Sequence, residues 1–215
     1  MELVQSYERL RKMTGDIIGT ISKLVEMRDP YTAGHQRHVS QLAHAIAGEL
    51  GLPAEQTEGI RIAGLIHDTG KLSVPVEVLN KLGRLNPVEF SIISIHPTAG
   101  YEMLRGIDFP WPIAEVAYEH QERIDGSGYP RGLKGDRIIF EARIVSVADV
   151  VEAMTFSRPY RPRIGLDKAL EQIQRGRGLL CNPVPVDACL KLFSEDTRLF
   201  PSKGKRFRFR KHPCS

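Results

Sequence analysis

The chain has 215 residues and a mass of 24.1 kDa, enough to bury a sizeable core in one large domain or two small ones. With 41% hydrophobic and 26% charged residues, its composition excludes collagen-like, mucin-like, disulfide-scaffold, disordered and membrane-embedded classes. The net charge of +4 is local. Setting aside Lys203, Lys205, Arg206, Arg208, Arg210 and Lys211 leaves 24 basic against 26 acidic side chains, a net of −2 over residues 1–200. The body of the protein is therefore not basic, and nucleic acid is disfavoured as a partner. The Arg-Phe alternation at the end reads as a solvated basic tail, 198–215, before a stacking or membrane-dipping segment. Cys181, Cys189 and Cys214 form no CxxC pair and fit a reducing cytoplasm. The polar start is no signal peptide, and no apolar run approaches the roughly 20 residues that span a bilayer.

The apolar spacing is helical nearly throughout. Leu3, Leu10, Ile17 and Leu24 recur every seven residues, with Met13 and Met27 beside them. That stripe, over 1–27, suits a two-helix coiled coil or a first helix packed on its own domain. Asp29-Pro30 ends it. A second helix is predicted from about His35 to Leu50, capped by Gly51, and a third over 54–69, stopped by Gly70. Asn86-Pro87-Val88-Glu89 combines an N-cap, a first-turn proline and a capping-box glutamate, opening a helix toward Ile95. Further helices are expected near 98–105, 112–121, 139–155, 167–175 and 184–195, with a long glycine-punctuated loop from Gly126 to Gly135. The expected class is all-α, since neither alternating strands nor a βαβ order competes.

Seven histidines are present, and helical geometry sorts some of them. At about 100° per residue, His35 shares a face with Val39, Leu42, Ala43 and Ile46, while His44 points to water. His67-Asp68 lies at the end of an apolar helix, where a buried carboxylate needs a partner and a metal ion is a common one. His96 precedes Pro97, His120 ends the stretch from Ile113, and Asp149 lies inside the apolar run Ile144–Val151. Four histidines and two aspartates on separate helices are the raw material of a dinuclear site.

These residues and their spacing resemble the HD-GYP family of HD-domain metal-dependent phosphohydrolases. The resemblance is carried by Arg28 to His35, by His67-Asp68-Thr69-Gly70-Lys71, by His96 to Gly100, by His120 to Pro130, and by Arg143 to Asp149 followed by Ser157 to Arg161. It covers about residues 20–195, in order, and implies an HD-domain helical bundle over 28–197. It also implies hydrolysis of cyclic di-GMP to pGpG, and onward to GMP, by a metal-bridged hydroxide attacking the phosphodiester. Two divalent ions, iron or manganese for an all-nitrogen-and-oxygen ligand set, supply this chemistry. By the resemblance His35, His67, Asp68 and Asp149 hold the first metal, with Asp68 bridging to a second on His96 and His120. Lys71 brings its ammonium to the scissile phosphate, Arg158 and Arg161 grip phosphates, and Tyr129 lies in a flexible substrate or docking loop.

Two positions depart from the family pattern. Gln121 stands where a second adjacent histidine is common, so the second metal keeps at most a weak amide or water contact there. Tyr31 replaces the glutamate of trinuclear members, so a dinuclear centre is expected. The resemblance further suggests a cytoplasmic homodimer through the first helix, controlled by a sensory, receiver or GGDEF-type partner, or a piece of a longer regulator. The alternatives are a catalytically weak cyclic-dinucleotide-binding module and a hydrolase of a related cyclic dinucleotide such as cyclic GMP-AMP.

Overall fold

A computed structural model describes residues 2–29, 34–155 and 165–195. Among them it contains α-helices, short 3-10 turns and two isolated bridges, with no strands. The helices are α1 (Glu2–Arg28), α2 (His35–Glu49), α3 (Ala54–Ile66), α4 (Val76–Leu79), α5 (Pro87–Ile93), α6 (His96–Leu104), α7 (Ile113–Glu119), α8 (Phe140–Thr155), α9 (Leu166–Arg175) and α10 (Pro183–Glu195). The all-α expectation holds. Arg158, Arg161, Tyr31 and the tail 198–215 lie outside the described residues.

The core forms where the apolar faces of α2, α3, α7 and α8 meet, through Val39, Leu42, Ile46, Ile60, Ile66, Val116, Ile144 and Val151. On α2 the helical-wheel reading is met: His35 is buried with that face and His44 is exposed. Gly51, at φ +69°, follows the helix end as a left-handed residue. At α5 the capping box is complete. Glu89 N–H donates to Asn86 Oδ1 at 2.9 Å, and Asn86 N–H donates to Glu89 Oε2 at 2.8 Å.

Two elements differ from the sequence expectation in ways that build the site. The third helix stops at Ile66, not at 69, and the chain tightens into a 3-10 turn over Thr69–Ser73. The cause is α6, which begins at His96, two residues before its expected start. A Cβ on Gly70 would lie 1.8 Å from the His96 carbonyl oxygen and 2.5 Å from Gly100 N, so only glycine lets the turn approach α6 this closely. Asp68 and His96 are thereby brought side by side. The short helix α4, for which the sequence offered no signal, follows the turn.

Helix α1 uses both of its faces differently. Ile18, Ser22 and Val25 are buried against the body, while Leu10, Met13, Ile17, Leu24 and Met27 stay exposed. The heptad stripe therefore points away from its own domain. No described helix is long and apolar enough to cross a membrane.

Candidate metal centre

Five segments deliver the site. His35 is the first residue of α2, His67 caps the C-terminus of α3, His96 opens α6, His120 caps the C-terminus of α7, and Asp149 sits inside α8. All four histidines and Asp68 are buried.

The histidines are oriented through Nδ1. His67 Nδ1 bonds to the Gly64 carbonyl at 2.9 Å, His96 Nδ1 to the Ile93 carbonyl at 2.8 Å, and His120 Nδ1 to the Ala117 carbonyl at 2.9 Å. A carbonyl only accepts, so each Nδ1 carries the proton and each Nε2 presents a lone pair inward. His35 Nδ1 instead meets the carboxylate of Glu152.

Asp68 stands between the imidazoles. Its Oδ1 lies 3.4 Å from His96 Nε2 and 3.7 Å from His120 Nε2. Its Oδ2 lies 3.4 Å from His67 Nε2 and 3.7 Å from His35 Nε2. His35 Nε2 also lies 3.3 Å from Asp149 Oδ1. Two groups result, His35/His67/Asp68 and Asp68/His96/His120, each with its ligand atoms within 4.8 Å of one another.

The electrostatics call for cations. Burial, with help from neighbouring imidazoles at His120, drives His96 down to about 4 and His120 well below its usual range, so both are neutral at pH 7. Their Nε2 atoms nevertheless face each other at 3.2 Å, and His67 Nε2 is buried with no hydrogen-bond partner. Lone pairs converging in this way beside a carboxylate fit a divalent cation, and oxygen with imidazole suits iron, manganese, zinc or nickel. Burial opposes the charge of Asp68, yet Lys71 and the surrounding histidines hold it well below the carboxylate range. Burial likewise opposes the charges of His35 and Asp149, but the carboxylates of Glu152, Asp149 and Asp68 raise His35, and the His35 and His67 imidazoles lower Asp149.

Lys71 Nζ reaches Asp68 Oδ2 at 2.7 Å and Asp29 Oδ2 at 3.8 Å. Its ammonium is largely buried beside the bridging carboxylate. Gln121 Nε2 donates to Asp149 Oδ2 at 3.2 Å, so its amide is turned to a carboxylate of the site. Tyr129 packs edge-on against His96, with ring centroids 6.2 Å apart. Its loop is tied down: Arg131 N–H and Leu133 N–H donate to Glu122, Tyr129 N–H donates to the Gln121 carbonyl, and Glu119 pairs with Arg131. A Cβ on Gly128 would come within 2.3 Å of Arg123 N, so the first residue of the Gly-Tyr-Pro run must be glycine.

Sequence reasoning missed Glu152, Glu119, Glu122 and the pairing role of Asp29. Glu152 is buried and contacts both His35 and His38. Burial would raise its carboxyl, but the two imidazoles hold it down at about 2. The available signal was a second carboxylate on the face of Asp149, three residues on in the same apolar helix.

An HD-domain model matches residues 19–181. The chain belongs to the HD domain family. This HD domain is 38% identical over 191 residues to the cyclic di-GMP phosphodiesterase response regulator RpfG of Xanthomonas campestris pv. campestris, covering 88% of this chain and 50% of the relative. It is 39% identical over 150 residues to the 3'3'-cGAMP-specific phosphodiesterase 1 of Vibrio cholerae, covering 70% of this chain and 35% of that protein. The chain thus spans half or less of the length of these relatives. In fold it is similar to Bd1817, an HDG"Y"P protein from Bdellovibrio bacteriovorus, with a TM-score of 0.61, 21% identity and coverage of 74% of this chain and 51% of the other.

Proposed function

We propose that this HD domain is a metal-dependent phosphodiesterase that hydrolyses cyclic di-GMP to pGpG and onward to GMP. The observation that carries the reading is Asp68, whose two oxygens each face a pair of histidine Nε2 atoms. Likeness to relatives named as cyclic dinucleotide phosphodiesterases supports the substrate class.

In this reading His35, His67, Asp68 and Asp149 hold one divalent ion, and Asp68, His96 and His120 hold another, iron or manganese. When bound, such a pair lowers the pKa of water and neutralises phosphoryl charge. The chain's own residues do the rest. Asp68 fixes the spacing of the two groups. Lys71, held at Asp68 and Asp29, places an ammonium where the developing charge on the phosphoryl oxygens needs one. Arg158 and Arg161 grip the substrate phosphates, and Tyr129, edge-on to His96, borders the bound substrate.

Metal-loaded protein incubated with cyclic di-GMP is expected to release pGpG or GMP, resolved by chromatography, with Lys71→Ala slowed at least about 100-fold. No product from the unmodified protein overturns the reading. Parallel assay of 3'3'-cyclic GMP-AMP tests the alternative that the relative from Vibrio cholerae favours. Gln121 stands where the family pattern commonly has a second histidine, and its amide is turned to Asp149, so the second ion lacks that further imidazole, and calorimetric titration of metal-free protein is expected to resolve a tight and a loose site. Two equally tight sites would contradict that assignment.

The exposed stripe on α1 supports a homodimer through this helix, and α1 is where a receiver, sensory or GGDEF-type partner would act. The free, buried thiols of Cys181 and Cys189 fit a cytoplasmic protein. Light scattering is expected to give a dimer that Ile17→Glu with Leu24→Glu dissociates, and a monomeric unmodified chain removes this part of the reading.

A further inference from the structure

A cyclic dinucleotide carries purine bases as well as a phosphodiester, and the groups placed so far address only the phosphodiester. A ladder of aromatic rings leads outward from the metal centre. The buried ring of His96 meets Tyr129 at 6.2 Å between centroids and 82° between planes. Tyr129, part-buried, meets Phe90 at 5.9 Å and 81°. Phe90 is 52% exposed. Exposure thus rises step by step from ligand to lip, and the last ring, with Tyr129 at its edge, keeps about half of its surface open.

The support under Phe90 is firm. It lies in the first turn of α5, immediately after the capping-box residue Glu89. The same Glu89 carboxylate receives Lys81 Nζ at 2.7 and 2.6 Å through its two oxygens. A half-exposed phenylalanine on a helix turn whose backbone is held in this way, one tyrosine ring away from a candidate metal-ligand histidine, offers a stacking platform.

We propose that Phe90 forms the outer wall of a purine subsite, on which one base of the bound dinucleotide stacks while the phosphodiester lies at the metal centre, with Tyr129 as the spacer. The inference rests on the cyclic dinucleotide reading. Stacking uses the π-face that every base has and reads no hydrogen-bond pattern. The subsite therefore strengthens binding of guanine and adenine nucleotides alike and does not discriminate between cyclic di-GMP and cyclic GMP-AMP.

The test compares ligands that differ only by the base. Calorimetry on the metal-loaded full chain measures the affinity of 5'-GMP and of ribose 5-phosphate for the unmodified protein, Phe90→Ala and Phe90→Tyr. The unmodified chain is expected to prefer 5'-GMP. Phe90→Ala should lower that preference about tenfold, and Phe90→Tyr should restore it. The KM for cyclic di-GMP should rise by a similar factor in Phe90→Ala. No preference in the unmodified chain, or the same preference in Phe90→Ala, overturns the subsite. A parallel loss of both ligands assigns Phe90 to bracing Tyr129 and also overturns it. Absence of cyclic di-GMP hydrolysis by the unmodified chain counts against the phosphodiesterase reading, while the ratio of the two affinities still decides Phe90.

Discussion

The three carbonyls that receive the histidine Nδ1 protons share one origin. Gly64 and Ala117 lie in the last turns of α3 and α7, and Ile93 is the last residue of α5. Carbonyls at a helix C-terminus have no N–H ahead of them in the helix, so they remain available to a side chain three residues on. A histidine placed just past a helix end thus orients itself at little cost. His35, at the start of α2, meets the Glu152 carboxylate of α8 instead. Loss of that carboxylate should loosen one ligand while leaving the other three tethered. Glu152→Gln is expected to weaken metal binding about 10–100-fold, measured by competition with a chromophoric chelator, with circular dichroism preserved. Unchanged affinity would show that His35 needs no such support. The candidate ligands were legible in the sequence because each interrupts an apolar pattern or ends a helix. Glu152 carried only its place on the face of Asp149 as a signal, and its role stayed hidden because its partner His35 is remote in sequence and only the packing of α2 on α8 joins them.

Helix α1 shows how a strong pattern can hide a weaker one. The seven-residue spacing of Leu10, Ile17 and Leu24 dominates the sequence, yet these side chains are exposed, and the helix docks through Ile18, Ser22 and Val25 at spacings of four and three. Both faces carry apolar residues, so periodicity alone left the docking face open. Adjacent isoleucines separate the two roles. Ile18, 5% exposed, should cost about 2–4 kcal/mol when replaced by alanine, since truncation opens a cavity in the core. Ile17, 58% exposed on its own domain, should change stability by no more than about 0.5 kcal/mol at protein concentrations where the chain is monomeric. Urea unfolding of Ile18→Ala and Ile17→Ala measures both, and equal losses would mean that the helix packs through the heptad stripe. The 3-10 turn after Asp68 was illegible for a different reason. Gly70 reads as a helix stop, but the tightening of the turn is set by α6, whose backbone occupies the space where a further helical turn would carry a side chain.

Candidate ligands come from the start of α2, the end of α3, the start of α6, the end of α7 and the middle of α8, so the site joins elements from residue 35 to residue 149. The helices that carry it also carry the core. A cation bound there would therefore stabilise the folded molecule as a whole, because the unfolded chain cannot assemble the ligands. At a free metal concentration 100 times the dissociation constant, the linkage is worth about 2.7 kcal/mol. For a domain of this size that corresponds to a rise in melting temperature of about 5–10 °C. Asp68 is the one residue common to both groups, and Asp68→Asn keeps its shape while removing the charge that both groups share. Calorimetric scans with manganese and with a chelator are expected to show the rise in the unmodified chain and little of it in Asp68→Asn. An equal rise in both would place the stabilising metal elsewhere. A rise confined to a separate low-temperature transition would mean that the site is a local appendage, against the sharing of its helices with the core.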